Sequence, residues 1–252
     1  MKFKSLYLII VLITANFVYA DERQIVKVGG YHFPPFLEDI NEKGSGITID
    51  LIDLMNKYQN KYKFIFILTS SKRRFDHFNE GKYDMIIFES IDWGWKDRNV
   101  ESSKVYLVGG SKYITKAGKG KDQSYFENFE GKSILLINGY HYGFCNYITD
   151  QEYLKKNYNA AMTSTHDGNI LSVIKGRADI TVVINAYLQK FLHENPSTKN
   201  QILISDKYDL KNYYTILIRK GFKPDSRQIN ELLTSMEKDG TFENFWKNYG
   251  MK

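Results

Sequence analysis

A single cysteine, Cys145, stands among 252 residues, so no disulfide can form within the chain. No dense basic stripe is present. The only tight cluster, Lys72-Arg73-Arg74, sits among polar residues at a predicted helix start and reads as a solvated face. Nucleic-acid binding, which needs clustered basic charge, is therefore not expected. No His or Cys pair has the spacing of a structural zinc site. The five histidines are scattered and suggest no Ser-His-Asp arrangement. Cys145 and His141 would share a face at helical spacing, but no third group to orient them is evident, and a packed structural thiol is the expectation. Internal repeats and low-complexity linkers are also missing.

One long apolar run is present, and it lies at the start. Lys2 and Lys4 precede the mostly apolar stretch 6–18, and Val18-Tyr19-Ala20 precedes Asp21. That order is a secretory leader, residues 1–20, and the run is shorter than the ~20 residues a membrane span needs. Removing Lys2 and Lys4, with no acid, takes the formal charge from +6 to +4. No second run of about 18 apolar residues follows.

The rest alternates short β-forming runs with helical periodicity. Strands are predicted at 25–28, 64–68 and 85–88, with helices after Asp50 and over 71–80. The second half repeats the style, with strands at 133–137, 180–184, 202–204 and 213–218 and helices over 167–175 and from Asn185, which is expected as an N-cap. Asp225 with Gln228 predicts a capping box. Alternation of this kind implies two α/β blocks with mainly parallel sheets flanked by helices, and two such blocks side by side make a cleft.

Several motifs then align in order. Val28-Gly29 with Phe33-Pro34-Pro35-Phe36, Gly46-Ile47-Thr48-Ile49-Asp50-Leu51, Gly81-Lys82-Tyr83-Asp84-Met85, Val100 to Tyr106, Gly176-Arg177-Ala178-Asp179 and Lys238-Asp239-Gly240-Thr241 resemble, over nearly the whole chain after the leader, the bacterial extracellular solute-binding proteins of family 3. The resemblance implies the two-lobed type II periplasmic-binding fold with two crossover strands. Lobe 1 would comprise 21–110 and 215–252, and lobe 2 would comprise 111–214. It also implies a periplasmic monomer without cofactor that closes on a small polar, amino-acid-like or carboxylate-bearing solute and delivers it to an ABC transporter permease. Other relatives are sensor modules, and a dehydratase branch shares the fold.

The resemblance also points to site residues. The family's carboxylate-binding Arg lies twelve residues after the motif Asp, which lands on Lys96, with Arg98 two further on. The family's ammonium-binding acid lands on Ile184, beside Asn185. Glu89, at a strand's carboxyl end, is the candidate to supply the missing negative charge. Phe33 holds the family's aromatic position. Trp93 and Trp95 stand in a polar loop, where such bulk calls for a contact. Gly139-Tyr140-His141 follows a strand and is expected to lead into a helix, offering backbone N–H groups to a ligand.

Overall fold

The computed structural model describes residues 22–38 and 43–249, and the expected leader, 1–20, lies outside the described residues. Three parallel strands, β1 (Gln24–Gly30), β2 (Tyr62–Leu68) and β3 (Met85–Glu89), lie in the order β2-β1-β3. Parallel neighbours need crossovers, and α1 (Ile47–Tyr58) and α2 (Arg74–Asn79) supply them. Ile47, Leu51, Ile52 and Met55 form the buried stripe of α1.

A second set repeats the plan. β6 (Ile134–Ile137), β7 (Ala160–Thr163) and β8 (Ile180–Ile184) lie in the order β7-β6-β8, again parallel, with α3 (Gln151–Tyr158), α4 (His166–Ile174) and α5 (Asn185–Glu194) packed on them. The two Asp-containing motifs do the same work in each set. The Asp84 carboxylate accepts the Lys27 N–H at 2.9 Å, tying the entry of β3 to β1. The Asp179 carboxylate accepts the Ser133 N–H at 2.9 Å, tying β8 to β6.

Two strands join the sets. β5 (Leu107–Lys116) and β9 (Ile202–Arg219) pair antiparallel from Leu107↔Tyr214 to Lys116↔Ile202. At one end β9 continues onto β3 and onto β4 (Val100–Ser102). At the other, Ser111–Ile114 of β5 pair with β8. Between them, Leu107–Gly110 and Lys211–Tyr214 form a ribbon of two strands only. The molecule is thus a mixed α/β protein of two lobes, with its C-terminal helices α6 (Ser226–Lys238) and α7 (Thr241–Lys247) packed on the first through Leu233, Met236 and Trp246. The Asp225–Gln228 capping box is present, with both reciprocal bonds. No helix among the described residues is long and apolar enough to cross a membrane.

Three local expectations need correction. The stretches 202–204 and 213–218 are one 18-residue strand, because the polar segment between them is held in the β5 ladder. Asn185 is the first residue of α5 rather than its cap; Ile184 holds the N-cap position and makes no side-chain cap bond. The loop after β6 does not become a helix. It runs as turns, with Asn146 and Tyr147 at positive φ, until Asp150 caps α3 by accepting the Tyr153 N–H at 2.7 Å.

Candidate functional site

The lobes meet over a small cavity walled by aromatic rings. Phe33, just after β1, is its centre on lobe 1. Its ring meets Trp93 edge-on at 5.9 Å and 88°, and Tyr140 of lobe 2 at 5.2 Å and 79°. Trp93 in turn lies parallel to the His141 imidazole of lobe 2, at 6.2 Å and 4°. Tyr31, His166, Ser111 and Asn212 complete the polar part of the lining. The free space among these groups is about 20 Å³, which is room for about one water. Rings from both lobes must separate before a solute can enter.

Hydrogen bonds cross between the lobes at the same place. The Tyr140 hydroxyl donates to the His32 carbonyl at 3.1 Å, and the Ser71 hydroxyl to the Asn138 carbonyl at 3.2 Å. Gly139 sits at φ +79°, and a Cβ there would lie 2.8 Å from Ser71 Oγ, so glycine serves both the turn and the close approach. Beside the wider groove that both line, Lys190 of α5 pairs with Glu38.

Behind Tyr31 lies a buried charge pair. Glu89 ends β3 with no exposure, and its Oε2 accepts the Trp95 Nε1–H at 2.8 Å. Its Oε1 lies 3.5 Å from Arg74 Nε, near enough for an ion pair but not aligned as a hydrogen bond. Burial pushes the Glu89 carboxyl above its ordinary range, and Arg74 opposes that rise. The guanidinium lies over the rings of Tyr31 and Phe75 and donates to the Ser71 carbonyl. Arg74 was expected on a solvated face with Lys72 and Arg73. Only its neighbours are exposed, because Arg74 shares the inward stripe of α2 with Phe78, four residues on. That i, i+4 stripe was the available signal for it.

The structure brings together Phe33, Trp93, Gly139, Tyr140 and His141, with Glu89 just behind them. Trp95 is fully buried against Phe75 and Phe78 and touches the site only through Glu89. Lys96 is exposed and paired with Asp92 at 2.7 Å. Arg98 lies on the outer side of the same loop, its Nε donating to the Gly94 carbonyl at 2.9 Å and its guanidinium 4.0 Å over the Phe75 ring. Asn185 lines a separate, wider groove beyond Ile184 and Tyr214. None of Lys96, Arg98 and Asn185 lines the aromatic cavity.

Tyr31, Ser111, His166 and Asn212, absent from the sequence reading, do line it, and two of them carry atoms without a partner. His166, the first residue of α4, is 4 % exposed, and neither ring nitrogen has a hydrogen-bond partner. Asn212 in β9 donates from Nδ2 to the Tyr214 hydroxyl at 3.0 Å, leaving Oδ1 without a partner. Burial pushes both the His166 and His141 imidazoles down to about 3, aided by His32 and Arg74 respectively, so both are neutral at pH 7. Of the N–H groups that the loop after β6 was expected to offer an anion, that of Tyr140 donates to the Ile137 carbonyl at 3.2 Å, and two more further along the loop are taken. Asp209 accepts from Gly143 at 2.9 Å and Phe144 at 2.8 Å. Cys145 is buried with its thiol pushed up to about 11, first by burial and then by Asp209, which makes it a poor nucleophile. Among the described residues no group of three or more His, Cys, Asp or Glu side chains is placed to hold a metal ion.

Residues 26–252 match the bacterial extracellular solute-binding proteins, family 3. The chain belongs to this family. Among solved structures, an ancestral arginine-binding protein bound to arginine is 24% identical, with a TM-score of 0.67 over 90% of this chain and 98% of its own. A binding component assigned to an ABC transporter from Wolinella succinogenes, complexed with lysine, is 20% identical, with a TM-score of 0.69 over 90% and 95%. A histidine kinase sensor domain with similarity to periplasmic binding proteins is 18% identical, with a TM-score of 0.69 over 91% and 97%. These likenesses show the type II periplasmic-binding fold. No curated protein matches the sequence.

Proposed function

We propose that this family 3 protein captures a small polar, amino-acid-like solute between its lobes and presents it to an ABC transporter permease from the periplasm. The observation that carries the reading is the aromatic cavity itself, whose walls come from both lobes and from the ribbon between them. A solute that touches both lobes favours the closed form by its differential affinity. We assign Phe33, Trp93, Gly139, Tyr140 and His141 to the solute, and Glu89 and Trp95 to holding the lobe 1 wall.

No catalytic step is included in this reading. The cleft's nearest carboxyl, Glu89, is committed to Trp95 and Arg74. A second reading, solute sensing for a separate signalling partner, draws on the likeness to a kinase sensor domain.

Thermal unfolding of the protein without residues 1–20, against amino acids, amines, organic acids and small peptides, tests the proposal. A solute at a hundred times its Kd adds about 2.7 kcal/mol, a rise of roughly 5–10 °C for a chain of this size. A panel-wide absence of any shift would sink the receptor reading.

A further inference from the structure

We infer that the cavity recognises its solute by an ammonium N–H group and not by a carboxylate, so that the solute class is small organic amines in protonated form. The inference rests on the solute-binding reading and departs from the charge pair that the family resemblance implies. Three observations carry it.

The first is the absence, among the described residues, of a free cation in the lining. Arg74 lies behind Tyr31 against Glu89, Lys96 is paired with Asp92 outside, and Arg98 is turned onto Phe75. The backbone N–H groups of Gly143 and Phe144 are given to Asp209. A carboxylate buried here would lose its water and gain no compensating charge. The second is the set of ring faces. Phe33 meets Trp93 of its own lobe and Tyr140 of the other nearly at right angles, so closure gathers rings whose faces carry partial negative charge. A cation gains from such faces and an anion does not.

The third observation selects an ammonium that carries hydrogens. Two side chains in the lining have an unpartnered acceptor atom. Asn212 Oδ1 is free because Nδ2 is committed to Tyr214. His166 is neutral with neither ring nitrogen partnered, so one nitrogen keeps a lone pair and the other carries an N–H. A buried acceptor without a donor is costly, and a solute N–H relieves it. No formal negative charge lines the cavity, and Glu89 is compensated by Arg74. Ring faces and two neutral acceptors therefore stand where the resemblance implies an acid at Ile184.

Calorimetric titration of the protein without residues 1–20 separates the possibilities, using lysine, 1,5-diaminopentane (lysine without its carboxylate) and tetramethylammonium. We expect the diamine to bind at least as tightly as lysine, to within about tenfold, and tetramethylammonium to bind more weakly than the diamine. If lysine binds and the diamine is weaker by a hundredfold or more, the carboxylate is being read; the inference fails and the receptor reading stands. If none of the three binds at millimolar concentration, the inference fails, and the wider panel above decides the receptor reading separately. Phe33→Leu keeps apolar bulk but removes a π face, and should cost the diamine roughly 2–30-fold in affinity. Asn212→Asp places negative charge at the free acceptor and should tighten diamine binding. No gain in that variant, with its fold intact by thermal unfolding, counts against the assignment even if Phe33→Leu does not fold.

Discussion

The two walls of the cleft are built on different chemistry. Lobe 1 rests on formal charge, with Arg74 and Glu89 buried together beneath the rings and Trp95 fixing the carboxylate. Lobe 2 rests on neutral groups and one borrowed acid. Its loop after β6 is held by Asp209, which belongs to β9, and its inward groups are uncharged histidines and tyrosines. A charge pair that compensates itself can support a wall without offering either charge to a solute. The cleft thus contains ions close by and still presents a neutral face.

The largest effect expected from breaking this contrast comes from lobe 1. Removing one partner of a buried pair leaves the other uncompensated, typically a loss of about 3–5 kcal/mol. Arg74→Met should therefore lower the denaturant midpoint sharply. Replacing both partners by apolar residues of similar size should recover much of the loss, and a double variant as unstable as the single one would contradict the pairing. Lobe 2 should suffer less. Asp209→Asn weakens charge-assisted bonds to two N–H groups and to the Tyr113 hydroxyl at 2.5 Å. A loss of about 1.5–3 kcal/mol is expected, with hydrogen exchange in 139–149 rising more than elsewhere.

Acid sharpens the comparison further. His166 is held neutral in the fold, with its pKa pushed down to about 3, while the unfolded chain takes up the proton near pH 6.5. Between those values the unfolded state binds more protons, so stability falls as pH falls from about 6.5 toward 3 and is level above it. At pH 5.5 the contribution of His166 is about 1.4 kcal/mol. His141 acts in the same direction, and His166→Leu should flatten the slope of thermal midpoint against pH over this range. The smallest effect belongs to the ion pair beside the wider groove. Lys190 and Glu38 are both partly exposed, so Glu38→Gln should change stability by under about 1 kcal/mol, and less in high salt. Solution scattering would register any accompanying shift toward a more open form.

Much of the fold was legible because it rests on local patterns. The capping box at Asp225 is two residues three apart, and the motif aspartates 84 and 179 each accept a backbone N–H at or beside the neighbouring strand, from Lys27 and Ser133. Phe33, Trp93, Tyr140 and His141 were also legible, since large rings beside strand ends have few other places to go. Arg74 was not, because its neighbours in the basic cluster are solvated and only its place on a short helix turns it inward. His166 and Asn212 were hidden for another reason. One is a helix start and one lies midway along a polar strand, and only the folding of β9 against β5 brings them to one cavity. Lys96 and Arg98 were placed by counting along a loop. Counting fixes position in the chain but not the side of the loop that faces inward.

Among the described residues, the ribbon of Leu107–Gly110 with Lys211–Tyr214 is the only stretch of sheet between the lobes that has two strands and no third. Asn212 belongs to the ribbon, and Ser111 is its immediate neighbour on β5. As a lever, this places the proposed solute site beside the fulcrum. Any swing of one lobe about the ribbon carries the rim through a long arc and the groups around Asn212 through a short one. A sub-ångström difference in how a solute seats is then magnified into a large displacement at the outer surface, where a second protein would read it.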